Sequence, residues 1–251
     1  MSDYFKEPQH PVNTRQGEIA LPIFYYNTAC VFASFVVDTC ATRQLLPAVL
    51  EPVVIAPGKS LATVAFFQYT DSSVGAYNEM GLAIAARPSR HHFHNTAAWH
   101  PLQSVMPGMF IVDLPVTTAI AYAAGRECWG YPKIVVPIDF SLRGSVFDCK
   151  VLAADRNDLL CQLRGQAQAA IPLFAPDLLT YTLRDGVLLR TVIRMRGRMQ
   201  HSLLSRVEWQ QGQNHHLCDH LQVLGLQQQR PVLLQYGQGL QAILPAGQAV
   251  Q

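Results

Sequence analysis

Over most of its length the chain alternates apolar and polar positions with a period of two, the repeat of strands that bury one face. Residues 1–17 are polar, hold two prolines and show no period, which predicts an extended arm with only local packing. From Glu18 the runs EIALPIFYY and ACVFASFVVD are rich in β-branched and aromatic residues and read as strands. TCATRQLLP predicts one short helix that turns Leu45 and Leu46 inward and stops at Pro47. VVIAPGKS reads as a strand ending in a Pro-Gly turn, and LATVAFFQYTD and AYNEMGLAIAARP as two long strands of a hairpin. MFIVDLP is a further strand, and PVTTAIAYAAGREC a helix with Pro115 near its start. Beyond Ile134 come the strands IVVPIDFSL, SVFDCKVLAA and LLCQLRGQAQ. LLTYTLRDGVLLRTVIRMRGRM is a hairpin turning at Asp185-Gly186, HHLCDHLQVLGL a last short helix, and RPVLLQYGQGLQAIL two closing strands. About a dozen strands and two or three helices predict a mainly β (α+β), antiparallel, barrel-like or sandwich fold, with residues 18–251 as a single domain behind the arm.

Residues 88–108 break this rhythm. PSRHHFHNTAAWHPLQSVMPG has no clear period, and loops of that length in compact domains are usually functional or mobile, so the segment is a lid candidate carrying His94 and His100.

Composition narrows the function classes. Of 251 residues, 49% are hydrophobic and 14% charged, which excludes disordered and fibrous chains. The formal charge of +2 is too small to hold a polyanion across the whole surface, so nucleic acid is not an expected partner. Six cysteines sit in apolar segments without a CxxC pair, which suits reduced core thiols and a cytoplasmic setting. MSDYFKEPQH lacks the features of a signal peptide and no run approaches eighteen apolar residues, so no membrane partner is expected.

Only four of the nineteen Lys and Arg residues are lysines, at 6, 59, 133 and 150. Lys59 in PGKS is no P-loop lysine, because Val53 occupies the place of the first glycine. Lys133 follows a helix and Pro132 and precedes the apolar run IVVPI. Burial there would favour the uncharged amine, which can attack a ketone and form a Schiff base. The plainer alternative is a lysine whose stem is buried and whose head reaches solvent.

GRECWGYPK, residues 125–133, resembles the signature of the acetoacetate decarboxylase family, in which Gly-Arg-Glu leads into Tyr-Pro-Lys. VGAYNEMGLAIAA, residues 74–86, is similar to the family's Gly-x-Tyr-x-Glu-x-Gly segment. RQLLPAVLEPV at 43–53 and the pair Asp219-His220 also have counterparts, so the likeness spans about residues 18–247. The resemblance implies an acetoacetate decarboxylase-like fold, Lys133 as the Schiff-base nucleophile, and Glu79 beside it, orienting the substrate or moving a proton. It further implies a small keto-acid substrate, no cofactor, and a homo-oligomer. Two positions depart from the pattern: a second lysine of the family falls on Ile134, and a substrate-binding arginine falls on Thr28. The leading expectation is a Schiff-base decarboxylase of a β-keto acid. Its alternatives are an aldolase, dehydratase or other lyase using the same lysine, and a non-catalytic barrel for a carboxylated ligand.

A period of two places Tyr77 and Gly81 on the face of Glu79, and Tyr131 is a further candidate for the substrate wall. Arg126 and Glu127 are candidates for a salt bridge that fixes the turn. In IRMRGRM, Arg194, Arg196 and Arg198 share one face of a strand and Ile193, Met195 and Met199 the other. If the arginine face looks inward, Arg194 and Arg196 bind the substrate carboxylate; if outward, it is solvated or a subunit contact. HHFH at 91–94 and HHLCDH at 215–220 contain zinc-ligand residue types without a tetrahedral spacing, and a Schiff base needs no metal.

Overall fold

The computed structural model describes residues 3–89, 106–155 and 158–250. Strands dominate, joined by three short α-helices. In chain order, β1 (His10–Thr14) and β2 (Gly17–Leu21) form a hairpin, and β3 (Ile23–Asp38) runs into helix α1 (Thr39–Leu45). The short strands β4 (Leu50–Pro52) and β5 (Val54–Ala56) precede the long hairpin β6 (Lys59–Ser72) and β7 (Tyr77–Pro88). Then come β8 (Gly108–Asp113), α2 (Ala119–Trp129), β9 (Ile138–Arg143), β10 (Val146–Leu152), β11 (Leu159–Gln168) and β12 (Ile171–Phe174). The chain closes with β13 (Leu178–Arg184), β14 (Val187–Arg196), β15 (Arg198–Ser202), β16 (Leu204–Gln211), α3 (His216–Val223), β17 (Leu233–Leu244) and β18 (Gln248–Ala249).

One sheet rolls into a ring. The order β17-β3-β6-β7-β8-β13-β14 closes because β14 pairs back onto β17 through Arg194 opposite Ile243 and Arg196 opposite Gln241. All of these pairings are antiparallel except β8 with β13. Closure removes the free edges that an open sheet of this size would expose.

Alternation along β3 then fixes two compartments. Phe32 and Ser34 face the ring's interior, whereas Val31, Ala33, Phe35 and Val37 join the main core. That core is completed by Leu142, Phe147, Cys149, Val151, Leu160 and Leu163 of the second sheet, β9-β10-β11-β16, and by Leu217 and Leu221 of α3. The barrel is therefore packed from outside by the second sheet, and its interior holds a cavity.

Several local expectations need correction. The apolar run 134–136 is not a strand but a segment between Pro132 and Pro137 held by one parallel bridge, Val116 to Val135; prolines supply no N–H for a ladder. The α2 helix begins at Ala119, with Thr118 and not Pro115 at its start: the Thr118 hydroxyl accepts the Ala121 amide. The closing stretch is one strand, β17, in which register shifts between Gly237, Leu240 and Ala242 absorb what reads as a turn. The N-terminal arm reaches well beyond itself. The Tyr4 hydroxyl donates to the Arg194 carbonyl and Glu7 pairs with the Arg194 guanidinium. Cys30, Cys149, Cys161 and Cys218 are buried as expected, but Cys40 is exposed on α1. No helix among the described residues is long and apolar enough to cross a membrane.

Candidate active site

Lys133 is carried into one end of the barrel by the turn after α2. Gly130, with φ +68°, ends the helix in the left-handed region, and a Cβ there would lie 2.3 Å from the Leu183 carbonyl oxygen. The Gly130 and Tyr131 amides donate to the Arg126 and Gly125 carbonyls, closing the turn. The following segment is pinned beside residues 114–116 by the Leu114 amide to the Pro132 carbonyl, Val116 to Ile134, and Val136 to Val116. Gly125 makes the remaining room: a Cβ at this position would stand 2.4 Å from Lys133 Cε and 2.5 Å from Cδ. The lysine stem therefore lies directly on the helix backbone, which explains why a motif ending in lysine begins with glycine.

The ammonium does not reach solvent. Lys133 is 5% exposed and Glu79 6%, and Nζ donates to Glu79 Oε2 at 2.7 Å. Glu79 comes from β7, where Met80 donates its amide to the Pro115 carbonyl and so ties this strand to the lysine segment. The other carboxylate oxygen, Oε1, accepts the Tyr69 hydroxyl at 3.1 Å. Nζ stands 5.6 Å from the centre of the Tyr77 ring and 5.9 Å from that of Tyr131, within cation–π range. The Tyr77 and Tyr25 hydroxyls are 2.9 Å apart, and the Tyr131 hydroxyl lies 3.0 Å from Thr180 Oγ1. Burial pushes the phenols of Tyr25, Tyr69, Tyr77 and Tyr131 above the ordinary tyrosine range, so they act as neutral hydrogen-bonding groups.

Above this cluster the barrel holds a cavity of about 320 Å³ to which all seven ring strands contribute. Lys133 and Glu79 line its inner end with Tyr25, Tyr69, Tyr131 and Leu114. Tyr77 lies behind the lysine, in a small neighbouring void.

Of the residues singled out from sequence, Lys133, Glu79, Tyr77 and Tyr131 are thus brought together. Arg194 and Arg196 are not. Their face of β14 points out of the barrel, where Arg194 meets Glu7 and Arg196 stacks over the Tyr4 ring, while Ile193 and Met195 line the cavity. The apolar face of the strand takes the dry side, and the carboxylate-binding wall expected there is absent. Lys133 is surrounded by Gly125, Glu79 and tyrosine rings, with Trp129 lining the same small void, whereas Val135 of the following apolar run is 44% exposed.

Arg126 donates to the Lys133 carbonyl and Glu127 accepts the Arg15 amide, so each braces the turn through another partner. His220 Nδ1 lies 2.8 Å from the buried Asp113 carboxylate and His216 Nε2 3.5 Å away, a contact that fastens α3 to the end of β8. The candidate lid residues His94 and His100 lie outside the described residues. Thr28 borders the cavity with a buried hydroxyl that has no hydrogen-bond partner among the described residues. Sequence reasoning missed Tyr69, Tyr25 and Gly125. The register of the β6–β7 hairpin sets Tyr69 opposite Tyr77, and two strands closed by a short polar loop carry enough signal to find that pair.

The acetoacetate decarboxylase family model matches residues 8–180, which include both Glu79 and Lys133. The chain belongs to the acetoacetate decarboxylase family. Among solved structures it is similar to an acetoacetate decarboxylase (16% identity, TM-score 0.66, 91% of this chain and 88% of that one). It is also similar to acetoacetate decarboxylase from Legionella pneumophila subsp. pneumophila str. Philadelphia 1 (16% identity, TM-score 0.65, 99% and 93%). A third is the enduracididine biosynthesis enzyme MppR complexed with pyruvate (15% identity, TM-score 0.65, 96% and 98%). At these identities the likeness is one of fold. A search of curated proteins finds no match to the chain.

Proposed function

We propose that the protein is a Schiff-base lyase that decarboxylates a β-keto acid, with Lys133 as nucleophile and Glu79 as its proton partner. The observation that carries this reading is the buried Lys133–Glu79 pair, 2.7 Å apart at the inner end of an otherwise apolar chamber. Moving one proton from Nζ to Oε2 leaves a neutral amine and a carboxylic acid, and removes two charges from surroundings that solvate them poorly. The Tyr69 hydroxyl stays on Oε1 throughout and holds the carboxyl in place.

The neutral amine attacks the ketone carbon, and the Glu79 carboxylic acid returns its proton to the departing hydroxyl, so that loss of water gives an iminium ion. The bond between the α-carbon and the carboxylate then breaks, carbon dioxide leaves, and the electron pair forms an enamine as the nitrogen loses its charge. The α-carbon takes up a proton from solvent, which Glu79 is placed to relay, and water releases the ketone and regenerates the amine while the proton freed in that hydrolysis returns to Glu79. The partner is a small keto acid; no cofactor, nucleic acid or membrane enters the reading. A cytoplasmic setting and a homo-oligomer belong to it as well. The exposed apolar residues Ile171, Leu173, Phe174, Leu203 and Leu204 support the latter.

One observation favours a second reading, an aldolase or dehydratase on another keto acid. Thr28 stands where the family pattern has arginine, and the described residues lining the cavity include no guanidinium. Both readings need the same amine. Replacing Lys133 by Ala is expected to abolish turnover of every accepted keto acid while circular dichroism stays unchanged. Activity within tenfold of the wild type rejects both, and carbon dioxide release by the wild type separates the first from the second.

A further inference from the structure

The cavity is long and its chemistry changes along its length. On β7, Glu79, Gly81, Ala83 and Ala85 all face it, a span of about 20 Å at roughly 3.3 Å per residue. Side chains on this wall shrink to nothing or a methyl group once Glu79 is passed, and Ala65 of β6 does the same opposite Gly81. A Cβ at Gly81 would meet Leu114 Cδ1 at 3.3 Å, so the glycine widens the channel just above the lysine. The other walls include Phe32, Phe67, Ile111, Met195 and Met199, with Thr28 and Thr180 toward the lysine end.

No charged side chain other than Lys133 and Glu79 lines the cavity among the described residues, and these two are committed to each other. Polar side chains return at the far end, where Ser34, Thr63 and Gln235 are half-buried. Ser34 and Thr63 are already joined at 3.0 Å, and Gln235 Nε2 lies 3.0 Å from His201 Nδ1. Such a channel has nothing to neutralise a second charge and much to bury an alkyl chain.

We infer that the substrate of this site is a keto compound bearing a linear, uncharged apolar chain. Its carbonyl meets Lys133, and its tail runs along β7 toward Ser34, Thr63 and Gln235. The inference rests on the Schiff-base reading for the placement of the carbonyl. A cavity of about 320 Å³ holds about ten water-sized groups at roughly 30 Å³ each. The preferred ligand is therefore larger than a four-carbon keto acid and lacks a second carboxylate.

The test is a series of linear methyl ketones from acetone to 2-undecanone, measured with the full chain in two ways. Equilibrium binding is followed by calorimetry, and covalent capture by borohydride reduction and mass spectrometry. Affinity is expected to rise about three- to fourfold per methylene, the equivalent of about 0.8 kcal/mol, and to level off near 2-nonanone. Ala85→Leu is expected to move that plateau to shorter ketones; a variant that fails to fold leaves the wild-type series to decide. A flat or falling series overturns the inference while capture of acetone at Lys133 leaves the Schiff-base reading standing. No capture of any ketone overturns that reading instead, whatever the binding series shows.

Discussion

Gly125 is the residue whose role follows most directly from distance. Adding one methyl group places an atom 2.4 Å from Lys133 Cε, closer than carbon atoms approach without bonding, and all three atoms it meets, Cε, Cδ and Nζ, belong to the lysine side chain. The lysine stem must move, taking Nζ off Glu79. Gly125→Ala is expected to keep the fold, lose about 1–3 kcal/mol of stability, and lower the rate of ketone capture at Lys133 at least tenfold. Capture at the wild-type rate would show that the stem is not held by this contact. The motif lysine and Glu79 were legible in the sequence because a nine-residue signature and a Tyr-x-Glu-x-Gly alternation mark them. Tyr69 was harder to see, because it sits in an ordinary apolar strand and gains its role only through the register that sets it opposite Tyr77.

Among the elements, β14 shows what a period-two pattern can and cannot decide. Alternation separates Arg194 and Arg196 from Ile193 and Met195, but which set faces the barrel depends on closure of the ring through β17, a pairing of residues far apart in sequence. The cost of leaving guanidinium groups in a dry chamber decides the outcome. Arg194→Ala is therefore expected to leave the capture rate within twofold of the wild type, while the N-terminal residues become more open to proteolysis as Glu7 loses its guanidinium partner and Tyr4 keeps the backbone carbonyl at 194. A loss of tenfold or more in capture would return Arg194 to the substrate site. The same dependence on distant partners explains why the run 134–136 reads as a strand, and why β17 reads as two. Prolines at 132 and 137 and the shifts around Gly237 matter through their neighbours in space.

At the scale of the molecule, a ring of strands is packed on its outside by a second sheet and holds a cavity within, so the main core and the candidate site occupy opposite faces of the same strands. The class of fold was legible because the alternation and turn signals repeat along the chain; the closure of the ring was not, since it requires β14 to meet β17. Four buried phenols at the inner end tie stability to pH. Tyr25, Tyr69, Tyr77 and Tyr131 keep their protons in the folded state well above the value of about 10 at which an unfolded tyrosine ionises. Above that pH the unfolded chain binds fewer protons than the folded one, so stability is full below about pH 10 and falls as pH rises. Each phenol contributes a slope of roughly 1.4 kcal/mol per pH unit. Phenolate absorbance of these residues is expected to appear together with loss of circular dichroism; ionisation in a still-folded protein would show that the cluster is open to water.

The proposed role of the Lys133 amine is tested most directly by mixing the protein with a panel of keto acids and borohydride and mapping the modified peptide by mass spectrometry. A reduced adduct on Lys133, present with ketone and reductant together and absent with either alone, is the predicted result. An unmodified Lys133 across the panel, or adducts confined to Lys6, Lys59 and Lys150, would contradict the account.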